Sequence, residues 1–532
     1  MEINLIKLKK NFKSITSVTL LVALVLLPVI TLIVGSINLD TSNFKYLWDY
    51  LLIDYSFDTI YLLFLTLLFS LLLGILPAWF ISVNKFRGRK IYDLLLYLPL
   101  AIPTYIMSFS YAEILSFSGP FQNLVRDYFP NYSDIVNRDY LQIEVLALLL
   151  SFSLFPYLYA ACRISFSMIG KNYINLSKNL GLNEIKTFLK VGIPLSRPSI
   201  FSAIFLISME VLNEYGAVSY FGVNTYTSGI FRAWGSLADI NTALLLSVFL
   251  FFVVFVFFLT EKFFTNKYKY DVKVNSSSDH KFHNTKFKLL LIHTVCLVII
   301  FFSLIVPIIF MINNAFIVSD NIDFDNLILL TKNTILVSLI STILIVIAVL
   351  GIQFLSRVSS VKFLRFTSNL ISLSYALPGA VIGISLILLF SPINDFFGFL
   401  IIGSFPVLIY AYFIRYMAVA VSPISSSFEK LSTKLDDTGK NLGLNPFKYF
   451  SKIFIPLNKK AIIIAFCISF VDIMKDLPLT LILRPFNFDT LATKTYELAV
   501  EEMITESAIY SLAIISFGFI LLSVLNLTQS KS

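Results

Sequence analysis

Charge is scarce in this chain. Asp, Glu, Lys and Arg make up 14% of its 532 residues, where an ordinary soluble domain carries about 25%. Hydrophobic residues make up 57%, and Phe alone contributes 53. No soluble core absorbs that much apolar surface at this length, which excludes a cytosolic enzyme, a disordered chain and a nucleic-acid-binding module. The net charge of +9 does not restore the last of these, because in a membrane chain the placement of charge matters more than its sign. Cysteine is nearly absent. Cys162, Cys296 and Cys467 each sit inside an apolar run, so no disulfide framework is expected. Histidine is limited to His280, His283 and His293, too few and too scattered for a His-rich metal centre or a polytopic membrane enzyme. A phosphate-cradling loop is also missing. Gly439-Lys440 is followed by Asn441, and Lys434 stands where the first Gly would be.

What the chain has is long apolar runs. A bilayer-spanning helix needs roughly 20 mainly apolar residues. Twelve such runs occur, at 17–37, 59–83, 91–117, 141–161, 199–218 and 242–259, then 289–312, 334–354, 366–390, 399–421, 461–477 and 508–525. The fifth and eleventh carry charges. The first run follows Lys7, Lys9, Lys10 and Lys13 in the manner of a signal peptide. It is long and has no small-residue cleavage site, so it reads as a first span with its N-terminus inside. Threading twelve spans from there leaves only Lys45, Arg126, Arg138, Arg232, Lys332, Lys475, Arg484 and Lys494 of the 41 basic residues off the cytoplasmic side. By the positive-inside rule both termini are cytoplasmic.

The chain repeats itself. Asn179-Leu180-Gly181-Leu182-Asn183 recurs as Asn441-Leu442-Gly443-Leu444-Asn445, 262 residues later. In the same ungapped register Ile193-Pro194-Leu195 meets Ile455-Pro456-Leu457. The expected fold is therefore an all-α polytopic membrane protein with twelve transmembrane helices in two six-helix repeats. An even number of spans per half makes the repeats parallel. The halves are residues 1–262 and 289–532, joined by a polar cytoplasmic linker, 263–288, that contains Asn275-Ser276-Ser277-Ser278.

Both copies of the repeated motif fall in cytoplasmic loops between the fourth and fifth spans of each half, about 167–197 and 422–460. A short helix is expected to end at Gly181 or Gly443, where positive φ is cheap. A second short helix carries Phe188 or Phe450 on an apolar face, and Pro194 and Pro456 mark the start of the next span. Two copies in one register suit two equivalent docking elements for a two-fold partner.

Ionisable residues inside spans are functional suspects. Glu210 and Glu214 lie one helical turn apart, and their mates at the same offset, Asp472 and Asp476, do too. Lys475 stands opposite Asn213. Two readings stand here. The carboxylates converge on a central route, where their oxygens suit a hard cation, or they pair with Lys475 and Arg232 as a structural gate. No tight metal site is expected. Arg163 and Arg415 read as snorkelling anchors at the cytoplasmic interface.

The two loops resemble the coupling loops of ABC-importer membrane subunits. That pattern is Glu-Ala-Ala, three residues, Gly, nine residues, Ile, one residue, Leu-Pro. The matched positions are Gly181, Val191, Ile193 and Pro194, then Gly443, Ile453, Ile455 and Pro456. The Glu-Ala-Ala triplet is replaced by Asn175-Leu176-Ser177 and by Asp437-Thr438-Gly439, so only Asp437 keeps an acid. Over nearly the whole chain the sequence resembles fused two-repeat permeases of ferric iron importers. The resemblance is carried by Met209 to Gly216, by Met474-Lys475-Asp476-Leu477-Pro478 and by the run Leu483 to Ala492. Pro103 and Pro378-Gly379 resemble bends in the third and ninth spans. The resemblance implies an inner-membrane permease that pairs with a cytoplasmic ABC ATPase dimer and a periplasmic iron-binding protein. It implies no cofactor in this chain, ATP and Mg being held by the ATPase. Within that class thiamine, a polyamine or an oxyanion remain alternative substrates, and a secondary transporter is the alternative class.

Overall fold

The computed structural model describes residues 12–37, 48–168, 176–177, 179–267, 285–358, 371, 374, 377–398, 400–431 and 445–530. The first half contains α1 (Phe12–Ile37), α2 (Leu52–Val83), α3 (Thr104–Leu115), α4 (Pro120–Tyr128), α5 (Ile143–Met168), α6 (Ile193–Asn213), α7 (Gly216–Tyr220), α8 (Tyr226–Phe231) and α9 (Ile240–Lys267). The second contains α10 (Lys286–Ile300), α11 (Val306–Ile317), α12 (Phe324–Val358), α13 (Gly379–Phe397), α14 (Phe405–Lys430), α15 (Lys459–Met474), α16 (Pro478–Leu483), α17 (Leu491–Val500) and α18 (Ile504–Ser530).

Ten helices among the described residues are long and apolar enough to cross a membrane. Two helix pairs, Arg89–Ala101 with Thr104–Tyr128 and Phe447–Leu457 with Lys459–Met474, pass the same test but bend by 92° and 76°. Counting each pair as one span gives twelve, each on one of the twelve apolar runs. The bend in the third span falls at Pro103, which has no N–H to continue a helix and forces extended backbone before it. Pro378 starts α13 with the same conformation, φ −59° and ψ 147° against −55° and 144° at Pro103.

The two halves pack alike. In the first, α2, α5 and α6 form a mutually packed group; in the second, α12, α14 and α15 do. α1 packs on α9 and across the chain on α13, and α11 packs on α18 and across on α3. The first span of each half thus clasps the other half. Local details repeat as well. A π-turn, Phe188–Gly192 or Phe450–Phe454, precedes Ile193 and Ile455. Thr225 with Ser228 and Thr490 with Thr493 form capping boxes at the starts of α8 and α17. The first N–H of each of those helices is donated to a hydroxyl on the second span of its half: Tyr226 to Thr59 Oγ1 at 3.2 Å and Leu491 to Thr334 Oγ1 at 2.9 Å. Large apolar side chains such as Phe64, Phe252 and Ile347 are left exposed on the outer faces of the spans, as lipid contact requires.

The fifth and eleventh runs differ from the expectation. Their long helices stop at Asn213 and Met474, and the chain turns before resuming as α7 and α16. Gly216 forces the tight approach in the first half. A Cβ there would lie 2.7 Å from Leu477 Cδ2 and 2.8 Å from Tyr105 Cβ, so the two halves touch at a residue without a side chain.

Candidate translocation site and coupling elements

The seven residues expected along a route or gate are brought together. Glu210, Asn213, Glu214, Asp472, Lys475, Asp476 and Pro478 line one central cavity of about 50 Å³, with room for a few waters. Its remaining wall comes from the third span (Pro103, Thr104, Tyr105), from Ser153 on α5, and from Arg415 and Tyr416 on α14.

Glu214 and Asp476 are not one turn beyond their partners on a continuous helix, as the spacing suggested. Each sits just past a helix end, and its carboxylate caps the next short helix. Glu214 Oε1 accepts the Ala217 N–H at 2.9 Å and Asp476 Oδ1 accepts the Leu479 N–H at 3.1 Å. These caps satisfy backbone donors that an apolar environment would otherwise leave bare. Glu214 Oε2 also accepts the Thr104 hydroxyl. Asp476 Oδ2 accepts the Tyr416 hydroxyl at 2.5 Å and lies 3.5 Å from Arg415 Nε.

The halves are not identical across the axis. Asn213 Oδ1 accepts the Gly379 N–H at 2.6 Å, tying the end of α6 to the start of α13 in the other half. Its mate Lys475 instead pairs with Asp472 at 2.9 Å. Glu210 lies in the field of both Lys475 and Arg415. Four carboxylates thus face two cations.

Arg415 corrects the sequence reading. It is no snorkelling anchor: it is 8% exposed, faces the central cavity, and donates from Nη1 to the Leu377 carbonyl at 2.9 Å. A cation in mid-span is a functional suspect by the same rule that flagged the carboxylates, and that rule would have found it. Arg163 pairs with Asp93, whose other oxygen accepts the Tyr159 hydroxyl at 2.6 Å. Arg232 lines a separate recess with Tyr215 and Ser236, so the cation facing Asp476 is Arg415. Among the described residues no three His, Cys, Asp or Glu side chains stand close enough to hold a metal ion.

In the first loop Gly181 has φ +72°, and the Leu182 N–H reaches back to the Ser177 carbonyl at 2.9 Å. That is a Schellman-type helix end of the kind expected. Asn183 then caps a new turn by accepting the Lys186 N–H at 2.8 Å, and Asn445 does the same for Lys448 at 2.7 Å. Phe188 packs on Trp79, ring centroids 5.2 Å apart, and Phe450 on Phe354 at 4.8 Å. Val191, Ile193 and Pro194 are half-buried, as are Ile453 and Ile455, while Pro456 is exposed. Leu180, Ile185 and Phe447 project freely, 69%, 69% and 76% exposed. Lys288, in the first turn of α10, pairs with Glu184 of this loop. Asp437, Gly443 and the linker histidines His280 and His283 lie outside the described residues.

The run from Leu483 to Ala492 forms a closed turn. Arg484 pairs with Asp489, Asn487 takes a left-handed φ of +58°, and the Asp489 carbonyl accepts from Asn333 Nδ2 at 3.0 Å.

Two duplicated helical halves around a buried charged cavity define a multi-pass membrane transport protein. The chain belongs to the family described as the binding-protein-dependent transport system inner membrane component, which it matches over residues 70–270 and 347–530, one segment in each half. It is thus a permease component of an ABC importer and not itself an enzyme. It is 25% identical over 464 residues to the Fe(3+)-transport system permease protein FbpB 2 of Haemophilus influenzae, covering 84% of each chain. Over 162 residues, 30% of this chain and 56% of the relative, it is 26% identical to the sulfate transport system permease protein CysT of Salmonella typhimurium. The molybdenum transport system permease protein ModB of Escherichia coli is 26% identical over 30% of this chain.

Proposed function

We propose that this permease translocates ferric iron across the bacterial inner membrane, receiving it from a periplasmic iron-binding protein. The observation that carries the substrate is the match to the ferric permease, which covers 84% of the chain and so spans both halves, whereas the sulfate and molybdenum relatives match between 30% and 37% of it. The cavity supports the same reading. Its carboxylates outnumber its cations, and carboxylate oxygens suit a hard cation better than an oxyanion.

In this reading a cytoplasmic ATPase dimer holds ATP and Mg, and this chain needs no cofactor of its own. The two loops, including Gly181, Val191, Ile193, Pro194, Asp437, Gly443, Ile453, Ile455 and Pro456, dock on the two ATPase subunits. Exposed Leu180, Ile185 and Phe447 supply apolar contacts. The π-turn of the first loop runs unbroken into the fifth span, so a push there is delivered directly to Glu210 and Glu214; the second loop meets the eleventh span at a 76° bend after Leu457, through which a push reaches Asp472 and Asp476. The permease converts differential contacts with the ATPase into a shift of conformations. Both termini and the linker face the cytoplasm, as the basic residues require.

Deleting the chain tests this reading. Growth should fail when ferric iron is scarce and recover with excess iron. Normal growth in iron-poor medium, with a defect on scarce sulfate, would replace the substrate.

A further inference from the structure

The two repeated loops differ at one charged position. At the 262-residue offset Glu184 in the first loop meets Pro446 in the second, and Pro446 has no charge to pair. Glu184 Oε2 accepts from Lys288 Nζ at 2.5 Å, and the same ammonium donates to Asn84 Oδ1 at 2.5 Å. Asn84 is fully buried and ends α2, so the ammonium lies at a helix C-terminus, where a cation is favoured. The side chains of Lys288 and Glu184 are only 18% and 26% exposed, which limits screening by salt. One side chain thus joins the end of α2, the first loop and the first turn of α10.

Helix α10 is held on the first half a second time. His293 Nδ1 and the Tyr92 hydroxyl lie 2.9 Å apart, and the Phe86 and His293 rings meet edge to face with centroids 5.5 Å apart. From there the seventh span is continuous: α10, the π-turn Phe301–Ile305 and α11 form one helix, Lys286–Ile317. The π-turn sends the Val306 N–H back to the Phe301 carbonyl, and Pro307 has no N–H to give. The Phe302 carbonyl therefore lacks a helical donor. Tyr111 on α3 supplies one, its hydroxyl donating at 2.5 Å. Two turns earlier on α3, Thr104 donates to Glu214 in the central cavity. Contacts thus run from Glu184 through Lys288, the seventh span and the third span to Glu214. The first span has a matching latch. Pro28 leaves the Leu24 carbonyl of α1 without its helical donor, and the Tyr410 hydroxyl on α14 donates to it at 2.6 Å. The tyrosine latch therefore serves both halves, whereas the ion pair is open to the first loop alone.

We propose that Lys288 is a positioning residue that ties the first loop to the seventh span, so that displacing this one loop moves both halves of the permease. The proposal rests on the reading that the loop docks on an ATPase. A push on the loop then reaches Glu214 by two routes. One is direct, through the fifth span; the other crosses into the second half through Lys288 and returns through Tyr111 and Thr104. Such a network counts as coupling only when a change at one end is felt at the other, and that is what the test measures.

The contact itself is read first, without a partner. Cys162, Cys296 and Cys467 are buried, so Glu184→Cys with Lys288→Cys in the purified chain can be joined by bis-maleimidoethane. High cross-linking yield is expected; a yield no better than that of Glu184→Cys paired with a cysteine at exposed Lys262 overturns the tie. The chain is then assembled with its ATPase in proteoliposomes, with labelled ferric iron on the binding protein outside. Lys288→Met should keep its thermal unfolding and its copurifying ATPase, while iron taken up per ATP hydrolysed falls severalfold. Exchanging the charges, Lys288→Glu with Glu184→Lys, should restore most of that ratio, which a merely structural role would not do. An unchanged ratio in Lys288→Met overturns the proposal, and so does a charge exchange that is no better than the single variants. Loss of ATPase copurification from the wild type would instead overturn the docking reading, and the proposal with it.

Discussion

Glu214 and Asp476, 262 residues apart, do the same job in the two halves: each ends a long helix and caps the short one that follows, at 2.9 Å and 3.1 Å. The carboxylates are therefore part of the architecture as well as part of the cavity. A carboxylate that holds two helix ends together reports helix movement directly, because bending the span breaks its cap.

This gives a graded expectation at Asp476. Asp476→Asn keeps an oxygen to accept the Leu479 N–H but loses the charge facing Arg415. Asp476→Ala loses both and leaves a buried cation unpaired, a change that typically costs about 3–5 kcal/mol. Thermal unfolding in detergent should rank the wild type above Asn and Asn above Ala. Adding Arg415→Met to Asp476→Ala should recover much of the loss. Equal stability of the two single variants would show that the ion pair, not the cap, carries the effect.

Lys475 stands where the first half has Asn213. Removing its charge with Lys475→Met leaves Asp472 without its 2.9 Å partner, and a charge-assisted contact of this kind is worth about 1.5–3 kcal/mol. Substrate uptake by the assembled transporter should fall roughly tenfold or more, since about 1.4 kcal/mol corresponds to a factor of ten. The resting ATPase rate should rise, because the closed cavity loses a brace. Both rates unchanged would remove Lys475 from the gate.

Gly181 separates backbone strain from crowding. A Cβ there meets nothing within 4 Å, yet φ is +72°. Gly181→Asn should be tolerated, because Asn visits this conformation. Gly181→Val should disturb the loop at a cost of about 1–2 kcal/mol while leaving the spans folded. The expected readout is weaker ATPase copurification and lower uptake for Val, near-normal values for Asn, and unchanged thermal unfolding for both.

The spans were legible because apolar run length is a one-dimensional signal, and the duplication was legible because it kept an ungapped register. The helix breaks at Glu214 and Asp476 were not, since i, i+4 spacing looks the same whether the helix continues or turns back. Arg415 was misplaced because hydropathy along a sequence does not distinguish a cation at the interface from one facing a central cavity. The hydroxyl caps from Thr59 and Thr334 lie more than 150 residues from the helices they serve, beyond any local pattern.

The central claim is that the charged cavity conducts ferric iron under the control of a partner ATPase. Its most direct test is uptake of labelled ferric iron into proteoliposomes holding this chain with its ATPase, with an iron-loaded binding protein outside and ATP inside. Parallel vesicles receive labelled sulfate or thiamine with their own binding proteins. Iron uptake that needs ATP and falls in Lys475→Met vesicles is the expected result. Uptake of sulfate or thiamine without iron would contradict the claim.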